Sequence, residues 1–422
     1  MAPRTLLIAL MLVPVGLGPL GCSAEPSAEG ETAESSGGTT DPGTTDPGTT
    51  DPGTTDPDPD STGDPPGTGS STGNEPDERF AEFDQALEQF IEDEGLPGLT
   101  AAVVHRDDGV LHLRGYGAFE ADRVTLIASA SKIISVGVLM RLAEQGALDL
   151  DTPISEYLSD WGEYKTDITV AQLVSNSSGM IGLSDALYAE YLCQFLSAQT
   201  LEACGQSLYT ADDAATSVPP DTEFRYGGAQ WQLAGAVAEV VSGESWADLV
   251  QQTYAPCGLT STEYRNHFMQ ASIIDGGATV QYPSFVDGDM SVLDTTQNPS
   301  IEGGAFSNAE DYAQLLLMHL RGGQCDDGPA LDEASVMRMQ GDRILDVYGG
   351  STGSPGFDGY GLGWWVDRNT GIISDFGAYG TNPWLDLDRG YGAVVFVEGQ
   401  SWMGTALYLE LEPILAAVFD EA

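Results

Sequence analysis

The sequence predicts an α+β fold in which strands from both ends of the globular region form one sheet around a helical middle. Strand-like runs occur twice near the start of that region and four times near its end, at 99–105, 110–116, 361–366, 372–375, 383–386 and 391–397. The residues between them, about 150 to 355, have the pattern of helices and long loops. Because strands must bury their apolar faces, we expect the first and last runs to pair and the middle to form an inserted helical lobe.

Three helices are predicted around these strands. The first begins near Arg79, where apolar residues recur at helical spacing and the breaker run 95–98 ends the pattern: Phe80, Phe83, Leu87 and Phe90. A second helix is predicted from about Ser129 to Gln145, and a last one from about Met403 to Phe419. The strand runs and these helices together place the folded domain at residues 79–422.

The composition is strongly acidic. The 422 residues include 65 Asp and Glu against 15 Lys and Arg, a formal net charge of −50. Nucleic-acid binding needs clustered cations, so this charge excludes it, and it also argues against docking on anionic lipid. A hydrated, solubilising acidic surface is favoured over a calcium-storing one, because the globular part contains no Asp-x-Asp-x-Asp-Gly loop.

Residues 1–22 have the pattern of an export signal of the lipoprotein type. Arg4 precedes the apolar run 6–13, which is too short to cross a membrane as a mature helix. The run leads to Leu20-Gly21-Cys22-Ser23, which is similar to a bacterial lipoprotein cleavage site with Cys22 as the lipidated residue. Ordinary cleavage after Ala24 is the alternative. We therefore expect an exported protein, anchored at the outer membrane or cell surface through Cys22, or else periplasmic or secreted.

Residues 23–78 are predicted to be a disordered linker. They repeat Asp-Pro-Gly-Thr-Thr from Asp41, Asp46 and Asp51, and they contain fourteen acidic residues and no basic one. Such a segment cannot bury enough apolar surface to fold, and its like charges repel one another. Its expected use is to hold the domain at 79–422 away from a membrane.

The cysteines beyond the signal number four, an even count in an exported protein, and this favours disulfides. Cys193 with Cys204 would close a short loop, and Cys257 with Cys325 would join two distant segments. That pairing is the predicted one among three possible. A zinc site is the competing interpretation, but the spacings do not suit it and no histidine lies near a cysteine pair.

Ser129-Ala130-Ser131-Lys132 is the run that most directly suggests chemistry. Residues three apart in a helix share a face, so Ser129 and Lys132 are expected to lie within reach of each other. A neutral, desolvated Lys132 can take the proton of Ser129, and the free N–H groups of a helix's first turn can bind an oxyanion. By itself the run is weak, because serine before a helical lysine is commonly an N-cap.

Further stretches follow that run in a recognisable order, at 127–132, 148–158, 168–180, 224–228, 302–312 and 360–364. Together they resemble the serine beta-lactamase and penicillin-binding-protein-like superfamily, in particular the class C beta-lactamase-related branch of esterases and peptidases. The resemblance runs from about Gly98 to the end of the chain. It implies an antiparallel sheet between N- and C-terminal helices, an α/β/α sandwich, with the helical lobe inserted.

The resemblance also implies roles for single residues. Ser129 matches the nucleophile, Lys132 its proton partner and Tyr226, in Phe224-Arg225-Tyr226-Gly227-Gly228, a second general acid or base. The N–H groups of Ser129 and Ala378 match the oxyanion donors. The implied partner is a small-molecule or peptide-like acyl substrate, and no cofactor or metal is implied.

Two positions depart from the family pattern. Gly228 stands where the family usually has Asn, so an amide that helps to hold substrate is missing. Asp375 stands where a strand usually carries Lys or His, although Gly377 after it still allows close backbone approach. An anion at Asp375 would repel the carboxylate of a lactam substrate. We therefore expect an ester, or an amide without a nearby carboxylate, as substrate.

Two other hypotheses were weighed. A Ser-His-Asp triad is disfavoured because no Gly-x-Ser-x-Gly elbow occurs and every histidine lies outside the motifs: His105, His112, His267 and His319. A surface-displayed binding protein on a degenerate hydrolase fold is the second hypothesis, and Gly228 and Asp375 are the features that favour it.

Overall fold

Twelve strands lie in the part of the chain that the structure describes, a computed structural model covering residues 77–183, 185, 188–268 and 282–420. In chain order they are β1 Gly98–His105, β2 Gly109–Gly117, β3 Thr125–Leu126, β4 Glu263–Tyr264, β5 Ala305–Ser307, β6 Gln324–Cys325, β7 Gly328–Pro329, β8 Gly359–Tyr360, β9 Trp365–Val366, β10 Ile373–Ser374, β11 Asn382–Asp386 and β12 Tyr391–Phe396. Seven of them form one sheet in the order β2-β1-β12-β11-β10-β9-β8. A second sheet has the order β3-β5-β4, and β6 pairs with β7.

The predicted pairing of the two ends of the domain is confirmed. β1 lies antiparallel to β12, with Ala101 opposite Val395 and Val103 opposite Ala393. All other neighbours in the seven-stranded sheet are also antiparallel. The fold class read from the sequence, an antiparallel sheet with an inserted helical lobe, is therefore that of the protein.

Side chains that alternate along β1 divide the interior into two layers. Ala101 and Val103 join a core with the N- and C-terminal helices, through residues such as Phe83 and Leu411. Ala102 and Val104, on the other face, join the core of the helical lobe. The central strands are buried on both faces, and the sheet is thus the middle layer of an α/β/α sandwich.

The helices have the following bounds. The terminal layer consists of Ala81–Glu94, after a 3₁₀ turn at Glu78–Phe80, and Ser401–Asp420. The remaining α-helices are Lys132–Glu144, Ile154–Tyr157, Val170–Val174, Leu201–Tyr209, Gly228–Ser242, Trp246–Tyr254, Ala309–Leu320, Glu333–Gln340 and Arg343–Tyr348. Further 3₁₀ turns lie at Ala128–Ser131, Ser159–Trp161, Ala189–Phe195, Ala255–Cys257 and Met290–Val292.

Two predicted elements differ from the structure. The run 361–366 is not one strand, because a tight turn separates β8 from β9: the N–H of Gly361 donates to the carbonyl of Trp364 at 2.8 Å. Gly363 in that turn has φ of 88° and packs on the Lys132 helix, which a side chain there would disturb. The predicted helix from Ser129 is also shorter, since Ser129 lies in a 3₁₀ turn and the α-helix begins at Lys132.

Both predicted disulfides are present. Cys193 is bonded to Cys204 across 11 residues of sequence, and Cys257 to Cys325 across 68. The second bond joins the 3₁₀ turn Ala255–Cys257, which follows the helix Trp246–Tyr254, to β6. The predicted export signal, the lipidation site at Cys22 and nearly all of the linker lie outside the described residues, and they stay predictions.

The longer disulfide is expected to contribute more to stability. In the loop-entropy description, a cross-link constrains the unfolded chain more when it closes a longer loop, about 4 kcal/mol here against about 3 kcal/mol for the shorter one. Urea unfolding of Cys257→Ser/Cys325→Ser, beside Cys193→Ser/Cys204→Ser as the matched control, measures both. A larger loss in the control would contradict the expectation.

Candidate active site

Ser129 lies in a turn that directly follows β3. Ala128 before it has φ of 47°, an unusual backbone conformation for alanine that tertiary contacts must hold in place. The Ser131 hydroxyl provides one such contact by donating to the carbonyl of Ala128 at 2.6 Å. The same hydroxyl accepts the N–H of Ala305, in β5, at 3.0 Å. The turn that carries Ser129 is therefore fixed to the small sheet.

Two buried tyrosines hold the carbonyls that follow Ser129. Tyr312 donates to the carbonyl of Ala130 at 2.8 Å, and Tyr264 donates to that of Ser131 at 2.9 Å. Buried carbonyls need such partners because no water reaches them. As a result, the half-buried Ser129 side chain projects from a rigid support.

Tyr226 contacts Ser129 directly. Its phenol donates to Oγ of Ser129 at 3.0 Å, across 97 residues of sequence. The N–H of Arg225 donates to the carbonyl of Asn176 at 2.7 Å, and the amide of Gln230 donates to the carbonyl of Arg225 at 2.6 Å. The ring of Trp365 lies 5.4 Å from the Tyr226 ring. These contacts fix the phenol against the serine.

Lys132 lies beneath this pair and is 0% exposed. Nζ donates to the carbonyl of Glu302 at 2.9 Å, lies 3.9 Å from the carboxylate of the same residue, and is 4.8 Å from the ring centroid of Tyr226. The predicted direct contact of Lys132 with Ser129 is not among the hydrogen bonds of the described residues, in which Nζ donates to the Glu302 carbonyl. The order of contacts is therefore Lys132 to Tyr226 to Ser129.

The surroundings of Lys132 favour its charged form. Burial works to lower the pKa of the ammonium, but the phenol of Tyr226 and the carboxyls of Glu302 and Asp375 outweigh it and hold the pKa above its ordinary value. These surroundings therefore do not favour the neutral Lys132 that the sequence analysis considered as the group that takes the proton of Ser129. Burial raises the pKa of Tyr226 as well, against the opposing effect of Lys132, so the resting phenol is protonated.

Asp375 follows β10 and is fully buried, with 0% exposure. Burial raises the pKa of its carboxyl well above the usual range, although Lys132 opposes the shift. The expectation that Asp375 faces the substrate as an anion is therefore corrected. Its carboxyl is fully buried, so it is not exposed to a ligand bound at Ser129. Its electrostatic contact is with Lys132.

The two glycines lie at the edges of the site. A Cβ on Gly377 would lie 2.5 Å from the carbonyl oxygen of Ile127, so only glycine lets this segment approach the turn of Ser129. Ala378, which follows Gly377 and is exposed, is therefore adjacent in sequence to the point where this segment meets the turn of Ser129. At Gly228, the first residue of its helix, a Cβ would overlap the carboxylate of Glu302.

Residues 83–415 match the family model described as Beta-lactamase, which is most of the chain. The chain belongs to the beta-lactamase family. It is accordingly a serine hydrolase. The resemblance to the serine beta-lactamase and penicillin-binding-protein-like superfamily is confirmed at the level of family and fold.

Individual beta-lactamase-family relatives agree with this. Penicillin-binding protein 4 of Amycolatopsis lactamdurans is 26% identical over 345 residues, covering 77% of this chain and 83% of that protein. Among solved structures, EstCE1, a hydrolase with promiscuous acyltransferase activity, has a TM-score of 0.62 at 23% identity and covers 81% of this chain and 98% of its own. Simvastatin synthase (LovD) of Aspergillus terreus has a TM-score of 0.60 at 17% identity, covering 82% and 99%. These two structures share the fold.

Sequence reasoning missed Glu302 as part of this beta-lactamase-family site. It lies in the stretch 302–312, but nothing in that stretch shows that its side chain occupies the space next to Gly228. Its contact with Lys132 joins residues 170 positions apart and depends on the pairing of β3 with β5, which are only two and three residues long. Such short strands leave no periodic signal in a sequence.

Asp375→Asn is expected to stabilise the protein towards higher pH. Because the folded-state pKa of Asp375 is raised, the folded chain holds a proton that the unfolded chain has lost, and stability falls with rising pH between the two values, by up to about 1.4 kcal/mol per pH unit. The isosteric amide removes that loss. Chemical denaturation from pH 5 to pH 8 measures it, and identical slopes for both proteins would contradict the expectation.

Proposed function

We propose that this chain is an exported serine hydrolase that cleaves an ester, or an amide, through an acyl-enzyme on Ser129. The observation that carries the proposal is the hydrogen bond from Tyr226 to Ser129, with Lys132 buried behind the phenol. A nucleophile in contact with a base, and a third group that orients the base, is the arrangement that covalent catalysis needs.

In the proposed reaction the pair of Lys132 and Tyr226 first loses one proton, so that Tyr226 can accept the proton of Ser129. Oγ of Ser129 then attacks the substrate carbonyl, and the N–H groups of Ser129 and Ala378 bind the oxyanion. Tyr226 returns the proton to the leaving alcohol or amine as the carbonyl re-forms. The Tyr226 phenolate that remains then takes a proton from water, and the hydroxide attacks the acyl carbonyl. The phenol returns this proton to Oγ of Ser129 as the ester bond breaks, which releases the acid and restores the starting state.

The substrate class follows from the relatives and the site together. Relatives described as a penicillin-binding protein, a hydrolase and a synthase point to acyl transfer as the common chemistry. The site offers a half-buried serine, a cation that is itself covered, and a carboxylate at Glu302. This set suits a neutral acyl group better than one with a carboxylate next to the scissile bond.

Export is supported by the two disulfides, since such bonds persist in oxidising compartments. The sequence pattern at Leu20-Gly21-Cys22-Ser23 supports a lipid anchor on Cys22, and the acidic segment that follows would act as a tether. We place the domain outside the cytoplasm, at the outer membrane or cell surface.

Ser129→Ala is expected to abolish both covalent labelling by a fluorophosphonate probe and hydrolysis of p-nitrophenyl esters, because Ser129 supplies the hydroxyl that Tyr226 contacts in the proposed site. The mature domain and the variant are compared by gel fluorescence and by release of p-nitrophenolate. Absence of labelling and of esterase activity in the native protein would favour a binding protein on this fold instead. Labelling that survives in Ser129→Ala would overturn the nucleophile assignment.

The value of kcat/KM is expected to rise with pH by about tenfold per unit below the pKa of the Lys132–Tyr226 pair, and to level off above it. The sign follows from the raised pKa values, because the active form has lost a proton that the resting pair binds tightly. A native profile that falls with rising pH would contradict the proton path.

Tyr226→Phe should lower kcat/KM by about 10²- to 10⁴-fold with unchanged folding, because the phenylalanine has no hydroxyl to exchange a proton with Ser129.

A further inference from the structure

Gly228 and Glu302 share one space in the site. Gly228 opens the helix Gly228–Ser242, directly after the segment that carries Tyr226. A Cβ at this position would overlap the carboxylate of Glu302, with the nearest atoms all belonging to that side chain. The volume that a side chain at 228 would fill is therefore occupied, and the group that occupies it is a carboxylate.

Glu302 is held at this place by its own backbone. It belongs to the turn before β5, and its carbonyl accepts the ammonium of Lys132 at 2.9 Å while its carboxylate lies 3.9 Å from the same nitrogen. Gly303 after it packs on the backbone of Ala128, and β5 is paired with β3. The backbone that carries the Glu302 side chain is thus fixed to the same small sheet as the turn of Ser129.

The carboxylate lies on the open side of Lys132. The Glu302 side chain is 16% exposed and that of Lys132 is 0% exposed, so of these two groups the Glu302 carboxyl is the one that a ligand entering from solvent can contact. Burial raises the pKa of the Glu302 carboxyl, and the neighbouring Lys132 opposes that shift. Asp375, the other carboxyl near Lys132, is closed off from such a ligand. Among the described residues at this site, Glu302 is therefore the acidic group that can act on a bound substrate.

We propose that Glu302 supplies the polar side chain that position 228 lacks and makes the site select acyl groups without a carboxylate. It screens the positive charge of Lys132 from the substrate and sets a negative charge beside the acyl group. Without it, an anionic acyl chain would meet an unopposed cation. This inference rests on the proposed function, since it assigns a specificity to the same acyl-transfer site.

The test compares two esters with the same leaving group, p-nitrophenyl butyrate and the p-nitrophenyl monoester of glutaric acid. The ratio of their kcat/KM values cancels changes in the chemical step and reports charge discrimination alone. The native protein should prefer butyrate, and Glu302→Gln should reduce that preference by about tenfold, since a part-exposed charge pair is screened by water. The preference should also weaken at high salt. Glu310→Gln, an exposed change outside the site, is the matched control.

An unchanged ratio in Glu302→Gln would overturn the inference while leaving the hydrolase proposal intact, provided that butyrate is cleaved in a Ser129-dependent way. Absence of that cleavage in the native protein would instead remove the proposed function.

A swap tests the shared space independently. Gly228→Asn should lose most activity through the overlap, and Gly228→Asn/Glu302→Ala should recover it at least tenfold, a coupling that separate sites do not show. A double variant no better than Gly228→Asn would contradict the shared space.

Discussion

The buried ammonium of Lys132 is the constraint on which the site depends. A charge with no access to water is tolerated only where the protein itself provides partners. Those partners come from three separate segments: Glu302 in the turn before β5, Tyr226 before its helix and Asp375 after β10. Satisfying one cation therefore draws together strands of both sheets and the helical lobe, and the same convergence sets Tyr226 against Ser129.

Two carboxyl groups beside one lysine take different roles because their surroundings differ. Asp375 is closed off from solvent, and burial raises its pKa well above the usual range, against the opposing effect of Lys132. Burial raises the pKa of Glu302 as well, against the same opposing effect, but the Glu302 side chain is partly exposed and its carboxylate lies 3.9 Å from the ammonium. Separation of two acids by environment, with no change of residue type, is a common way to give each a distinct role.

The larger pattern could be predicted from the sequence, and the pairing of charges could not. The nearly continuous apolar run at 99–104 is typical of a strand buried on both faces, and the run from Ser129 to Lys132, together with the stretches that follow it, indicates a serine hydrolase. The state of Lys132 depends on which carboxyls surround it, and these lie 170 and 243 positions away along the chain. The burial of Asp375 likewise depends on its place after a two-residue strand, which no local pattern reveals.

Gly228 and Asp375 were the two features that favoured a degenerate, non-catalytic member of the fold, and the structure removes the force of both. The space next to Gly228 is filled by the carboxylate of Glu302, so a polar group is present there although residue 228 has no side chain. Asp375 is fully buried beside Lys132, so its carboxyl is not presented to a substrate. A residue missing from a motif shows lost function only if nothing else reaches its place in space. Here Glu302 reaches that place, which supports the proposal that the difference concerns the substrate that is accepted and not the loss of acyl transfer.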